Sequence, residues 1–146
     1  MSIEQNKAMS RRLYMEVFGV GNFDAADEIL SDGCVSHGPG TPPTIGATQI
    51  KRQAGVLRTA IPDLRVVLED QLAEGDRVAS RWTGSGTNTG HLQMPGVSVA
   101  PTNRPIEFSE IRIDRFDGGI VESWFLPDRL TLWEQLGIVP APGRTA

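Results

Sequence analysis

The sequence predicts an α+β fold in which N-terminal helices pack on one face of a curved antiparallel sheet, forming a cone with an internal pocket. Three observations carry this reading. The hydrophobic period changes once, near Asp63, from helical to strand-like. The later strands are joined by turns as short as Glu74-Gly75-Asp76 and Gly118-Gly119, which fit antiparallel neighbours. A sheet of four or more long strands twists, so it can wrap around a few helices and leave one end open.

The elements follow in order. Met9, Leu13 and Val17, flanked by Tyr14 and Phe18, mark one face of a first helix that Gly19 and Gly21 end. Asp24 is placed to cap a short helix from Ala25 to Leu30. Cys34 to His37 reads as a short extended piece, and Gly38 to Pro43 as a loop. Ile50, Ala54 and Leu57 give a third helix, about Ala47 to Ala60, which Pro62 ends. Strands are expected over Leu64–Leu72, Arg77–Gly86, Ile106–Phe116 and Ile120–Leu126. Between the second and third, Thr87 to Asn103 reads as irregular, with a short strand around Val97-Val99. After Pro127 a last helix follows from the period Leu130, Trp133, Leu136, closed by Gly137. The whole chain reads as one domain, 1–146, with a loose tail from about Pro140.

Composition narrows the function. Apolar residues are 39% and charged residues 22%, which describes a globular chain and not a disordered one. The net charge of -4 argues against nucleic acid and anionic membrane as partners. Cys34 is the single cysteine, so an internal disulfide is excluded. His37 and His91 have no helix-spaced partner, so no metal site is expected. The first residues lack the apolar core of a signal peptide, and no run is long enough to span a bilayer. A cytoplasmic protein is the expectation.

The residues able to carry chemistry gather toward the end of the chain. Strand alternation puts Glu122, Trp124, Leu126 and Asp128 on one face. Asp128 therefore has two readings. It is a general base whose pKa is raised by Trp124, Leu126 and Trp133, or it is the N-cap of the last helix, which would lower that pKa. His37 is a candidate to polarise a carbonyl, or a hydrogen-bonded structural histidine. Arg81 and Thr83 share one strand face, and Phe108, Glu110, Arg112 and Asp114 share another. Each set lines either the pocket or the outer face, since parity alone does not say which side is inside.

Several stretches resemble the SnoaL-like polyketide cyclases of the NTF2-like superfamily. They are Asn22 to Leu30 with Val35-Ser36-His37, Ile61-Pro62-Asp63-Leu64, Ala73 to Val78 with Arg81-Trp82-Thr83, Arg104-Pro105-Ile106, and Ile120 to Trp124 with Asp128 and Gln135-Leu136-Gly137. The resemblance covers about residues 7 to 137. It implies an NTF2-like cone, a homodimer or homotetramer, and a cofactor-free lyase or isomerase of natural-product (antibiotic) biosynthesis. That enzyme would close a ring in a polyketide-like small molecule, by an aldol-type step with an aspartate base or by pocket shape. Asp128 is the matching aspartate. With the residues read above, the candidate site is Asp128 and His37 for catalysis, with Arg81, Thr83, Phe108, Glu110, Arg112, Trp124 and Leu126 binding substrate. Two features depart from the family pattern: Glu110 and Arg112 stand where a small residue and an acid are usual, and Thr87–Asn103 is longer. A second enzyme reading is an epoxide hydrolase of the limonene-epoxide-hydrolase type. Arg81 is kept for that role, but Thr83, Leu126 and Val35 replace its two acids and its tyrosine. A third is a non-catalytic small-molecule-binding dimer.

Overall fold

The computed structural model describes residues 1–140; the expected tail lies, past Pro140, outside them. Helix α1 (Ile3–Arg12) continues into a π-helical segment, Leu13–Gly19. Ser2 and Gln5 cap its start reciprocally, each side chain accepting from the other's backbone N–H, which satisfies two donors the first turn leaves free. Then come α2 (Ala25–Ile29), β1 (Leu30–His37), β2 (Thr44–Ile45) and α3 (Thr48–Ala60). The strand-rich half holds β3 (Arg65–Glu74), β4 (Arg77–Thr87), the short β5 (Leu92–Met94) and β6 (Val97–Val99), β7 (Pro105–Asp117) and β8 (Gly119–Pro127). Helix α4 (Arg129–Gln135) closes the described fold.

Six strands form one sheet in the order β2-β1-β8-β7-β4-β3. Its long pairs are antiparallel, joined by turns in which Gly75 (φ 59°) and Gly118 (φ 79°) take left-handed backbone. One pair departs from the expected antiparallel sheet: β1 runs parallel to β8, with His37 beside Trp124. The reason is topological. β1 enters from α2, and its partner arrives about eighty residues later, so no hairpin dictates their direction. Bulges at Leu68/Asp70 and at Arg115/Phe116 bend the sheet around the helices.

The sheet's inner face and the helices share one core. Trp82 is fully buried at its centre, with the rings of Tyr14, Phe18 and Phe108 at 5.4, 5.3 and 5.9 Å. Aromatic contacts of this kind add to the stabilisation from area burial alone. Residues 87–103 are more ordered than their Gly and Pro content suggests. β5 and β6 form a hairpin packed on α3, and buried Asn88 ties its two ends together. The Asn88 amide donates to Ala60 O (2.9 Å) and Gly90 O (3.0 Å), and its oxygen accepts from Thr102 N–H and Oγ1 (2.9 and 2.8 Å). The inward residues here are Leu132 in α4 and Leu136 at its C-cap, one turn apart, while Leu130 is 59% exposed; the expected Leu130 stripe is shifted.

Candidate active site inside the cone

Every second residue of β7 from Ile106 to Phe116 faces the helices, which sets Phe108, Glu110, Arg112 and Asp114 in one interior row. Ser10 and Tyr14, one helical turn apart, meet this row from the helix above; β4 supplies Ser80 and Trp82, and β8 supplies Ser123 and Phe125. Asp114 has no exposed surface, and three donors satisfy it. Arg112 Nε (2.7 Å) and Ser123 Oγ (2.6 Å) bind Oδ1, and Ser10 Oγ (3.0 Å) binds Oδ2. A buried ion pair is tolerable only when its remaining lone pairs are matched in this way.

Two polar atoms of this cluster have no partner. The Arg112 side chain is 2% exposed, and its Nη2 is buried and unpaired. The Tyr14 hydroxyl is likewise unpaired, with Ser80 near it but outside hydrogen-bonding geometry. Burial, and next the Asp114 charge, push the Tyr14 phenol well above its usual range, so it is neutral. The Phe125 ring lies 5.7 Å from the Arg112 guanidinium carbon.

Glu110 is the carboxyl of the row whose titration is shifted furthest toward neutrality. Its setting raises the carboxyl to about 7; burial is the main cause and Asp114 adds to it, opposed by Arg112, Trp82 and Arg129. Trp82 Nε1 donates a long hydrogen bond to Oε1 (3.4 Å). A carboxyl that titrates near neutrality can accept a proton and return it.

Glu110 lies near the end of β8, opposite Pro127, where α4 begins. Gln135 brackets the backbone of Glu107, accepting from its N–H (2.8 Å) and donating to its carbonyl (2.6 Å). Arg129 donates to Pro39 O (3.3 Å), tying the 38–43 loop to α4. A glycine is required at 38: a Cβ there would stand 2.5 Å from Cζ of Phe125.

Of the residues the sequence singles out, the structure brings Phe108, Glu110 and Arg112 together inside the cone. Asp128 is exposed and caps α4: Thr131 N–H donates to its Oδ1 (3.1 Å), and the Thr131 hydroxyl and amide hold the carboxyl below its usual range. This corrects the expected apolar, raised-pKa setting. The strand alternation that linked Asp128 to Trp124 does not continue past Pro127, because the chain turns there into a helix. Asp128→Asn is expected to keep the cap, unfold in urea close to the native midpoint, and keep native turnover. A large rate loss in that variant would return the base role to Asp128.

The remaining candidates lie on the outer face of the sheet, away from this row. His37 Nε2 pairs with Glu122 Oε2 (2.8 Å) and stacks on Trp124 (5.4 Å, 11°). Arg115 also reaches Glu122 (3.2 Å), and His37 first, then Arg115, holds that carboxyl low. Arg77 lies over the Trp124 ring, Arg81 pairs with Asp70 (2.6 Å), and Leu126 is 64% exposed. Thr83 shares the face of Arg81. Arg81, Thr83, Trp124, Leu126 and His37 are thus corrected from pocket to outer face.

Sequence reasoning left out Tyr14, Ser10 and Ser123, and read Trp82 as core alone. Signals existed: Ser10 and Tyr14 sit one turn apart on the helix face marked by Leu13 and Val17, and Ser123 interrupts a strand of large residues. Among the described residues, no group of three or more His, Cys, Asp or Glu is placed to hold a metal ion, and no helix is long and apolar enough to cross a membrane.

Helices packed in the curve of a mixed six-stranded sheet define the class as NTF2-like. Residues 8–136 match the SnoaL-like polyketide cyclase model, and the chain belongs to that family. No curated protein matches the sequence. Among solved structures, it is similar to a candidate SnoaL-like polyketide cyclase from Jannaschia sp. CCS1 (25% identity, 96% of this chain and 97% of that one, TM-score 0.79). It is also similar to AclR, a candidate hydroxylase from Streptomyces galilaeus (26%, 98% and 87%, 0.81). IdmH, a candidate polyketide cyclase from Streptomyces antibioticus, gives 29%, 91% and 99%, and 0.75.

Proposed function

We propose that the chain is a cofactor-independent cyclase that closes a ring in a polyketide-type intermediate by an aldol-type step, with Glu110 as general base. One observation carries this: Glu110 is a carboxyl inside the cone, poised near neutrality between Trp82 and Arg112. The proton between two carbonyls is already acidic, so the protein supplies mainly orientation and one proton transfer. The test is incubation with a synthetic linear chain of alternating ketones, with ring product followed by mass and ultraviolet absorbance. Native protein should accelerate closure and Glu110→Gln should not; equal rates would reject the reading.

The interior row Glu110, Arg112, Asp114 also gives an acid–arginine–acid set, which favours epoxide hydrolysis as a second reading. It draws on none of the positions that reading first required. Diol formation from a terpene-type epoxide would select it.

The outer sheet face supports a homodimer. Val67, Leu72, Ile111, Ile113 and Leu126 are 51, 74, 52, 38 and 64% exposed there, an apolar patch of the kind that marks an interface. Light scattering should give twice 15.9 kDa, and Ile111→Asp should return the mass to 15.9 kDa. A native monomer would refute the dimer.

A further inference from the structure

Strand register orders the outer face of the sheet into transverse rows. At one end stand Glu74, Arg77, Arg115 and Glu122. Across the middle run Asp70, Arg81, Ile111 and Leu126. At the other end stand Arg65, Ser85 and Glu107. The two end rows are equally far from the middle one. Along β7, Arg115 and Glu107 flank Ile111 symmetrically, and along β4, Arg77 and Ser85 flank Arg81. On β3 the bulge at Leu68/Asp70 absorbs the extra residue between Arg65 and Asp70.

The charges of the end rows are opposite where they matter. Arg77 and Arg115 lie side by side in the first, and Glu107 stands in the other. Among the described residues, Arg65, Glu74 and Glu107 form no ion pair within the chain. Gln135 holds only the backbone of Glu107, so its carboxylate is left to solvent. Beside it is an open depression of about 290 Å³, lined also by Asp63, Arg65 and Ser85.

Two faces of this kind can meet about an axis along the strands or one across them. An axis along the strands sets Arg77 and Arg115 against the same arginines of the other copy, and like charges facing each other oppose association. An axis across the strands at Ile111 reverses the order of the rows. Each arginine row then covers the other copy's Glu107 row, Glu74 meets Arg65, and Leu72 meets Val67. Ile111 and Leu126 meet themselves. Arg81 also meets itself, but Asp70 neutralises it within its own chain (2.6 Å). Packed sheets cross at about 30°, which displaces an end row by roughly one strand spacing. Long arginine side chains and the open depression take up that displacement.

We infer that a second copy of this chain docks on the outer face about a twofold axis lying across the strands at Ile111, with Arg77 and Arg115 of each copy over the depression at the partner's Glu107. The inference rests on the outer-face homodimer and supplies its register. A twofold interface makes each contact twice, so a single charge change counts twice.

The test is sedimentation equilibrium of Arg115→Glu and Glu107→Arg, alone and mixed. Alone, each variant opposes like charges at both ends of the interface, and its dimer should dissociate roughly tenfold or more readily than native. Mixed in equal amounts, each introduced charge meets its opposite in the heterodimer, and affinity should return to near the native value. Cross-linking tests the axis by itself. A bismaleimide that spans the ~10 Å between packed sheets should join Ile111→Cys to its own copy. Arg115→Cys, roughly 25 Å or more from its own copy across this axis, should stay unlinked. Native Cys34 is buried and provides the unlinked control. The register is overturned if native protein is a dimer and both charge variants associate as tightly as native. It is equally overturned if the mixture is as weak as either variant, or if Arg115→Cys links as readily as Ile111→Cys. A native monomer would instead remove the dimer itself, and the register with it.

Discussion

Asp114→Ala is expected to lower the unfolding free energy by about 3–5 kcal/mol. The reason is what it leaves behind. Arg112 is 2% exposed and Asp114 is fully buried, so removing the carboxylate strands a cation with no water to replace its partner. Ser10 and Ser123 would lose their acceptor at the same time. A loss of that size is a large share of a total of roughly 5–15 kcal/mol. Asp114→Asn keeps one acceptor oxygen for Ser123 and can donate its amide to Ser10 Oγ, so it should lose less. Replacing both members of the pair, Arg112→Met with Asp114→Leu, should recover most of the stability, because no buried charge then remains. Urea unfolding at pH 7 with the slope unchanged between variants measures the order. If Asp114→Ala unfolds within about 1 kcal/mol of native, the pair is solvated in solution and the anchor does not exist.

The sequence made the architecture readable because its signals are local. The change of period at Asp63 and the two glycine turns, Gly75 and Gly118, are properties of adjacent residues, and every long strand follows from them. The parallel partnership of β1 and β8 is not local. It depends on where a strand that ends at His37 comes to rest after the rest of the chain has folded, and nothing near His37 specifies that.

The site was half readable for the same reason. Alternation correctly grouped Phe108, Glu110, Arg112 and Asp114, and correctly grouped Glu122, Trp124 and Leu126. Which group faces inward depends on register with neighbouring strands. The bulge at Arg115/Phe116 lets Ile120, Ser123 and Phe125 all point inward although their spacing is not even. Strand parity extended past Pro127 favours the base reading of Asp128 over the cap, but the backbone no longer alternates there. The interior acid had been visible in the sequence as a charged residue among apolar neighbours on β7, but a charge on a strand reads equally well as solvated. Helix residues completed the distinction: Ser10 and Tyr14 meet the inner row from sequence positions about a hundred residues away.

Glu110→Gln is expected to raise stability and lower activity together. The folded carboxyl titrates at about 7 against an unfolded value of 4.5. Between those values the native state binds more protons than the unfolded state, so native stability falls as pH rises through this window and is lowest above it. Glutamine carries no charge to desolvate and can still accept from Trp82 Nε1. At pH 8 the variant should therefore be more stable than native by about 1–2 kcal/mol, a figure reduced for the partial exposure of this carboxyl. At pH 4, where the native carboxyl is protonated, the difference should vanish. Turnover should move the other way, slowing by roughly 10²–10⁴-fold at pH 8. The native rate should rise with pH through about 7, as the carboxylate forms, and the variant's residual rate should lack that limb. Paired urea melts at pH 4 and pH 8, with initial rates from pH 5 to 9, test both halves on one protein. A variant less stable than native at pH 8 would mean that the carboxylate is solvated. A variant that keeps both native rate and native pH profile would mean that the proton is carried elsewhere. Increased stability with lost turnover is the signature of a carboxyl held in an unfavourable setting because the chemistry needs it there.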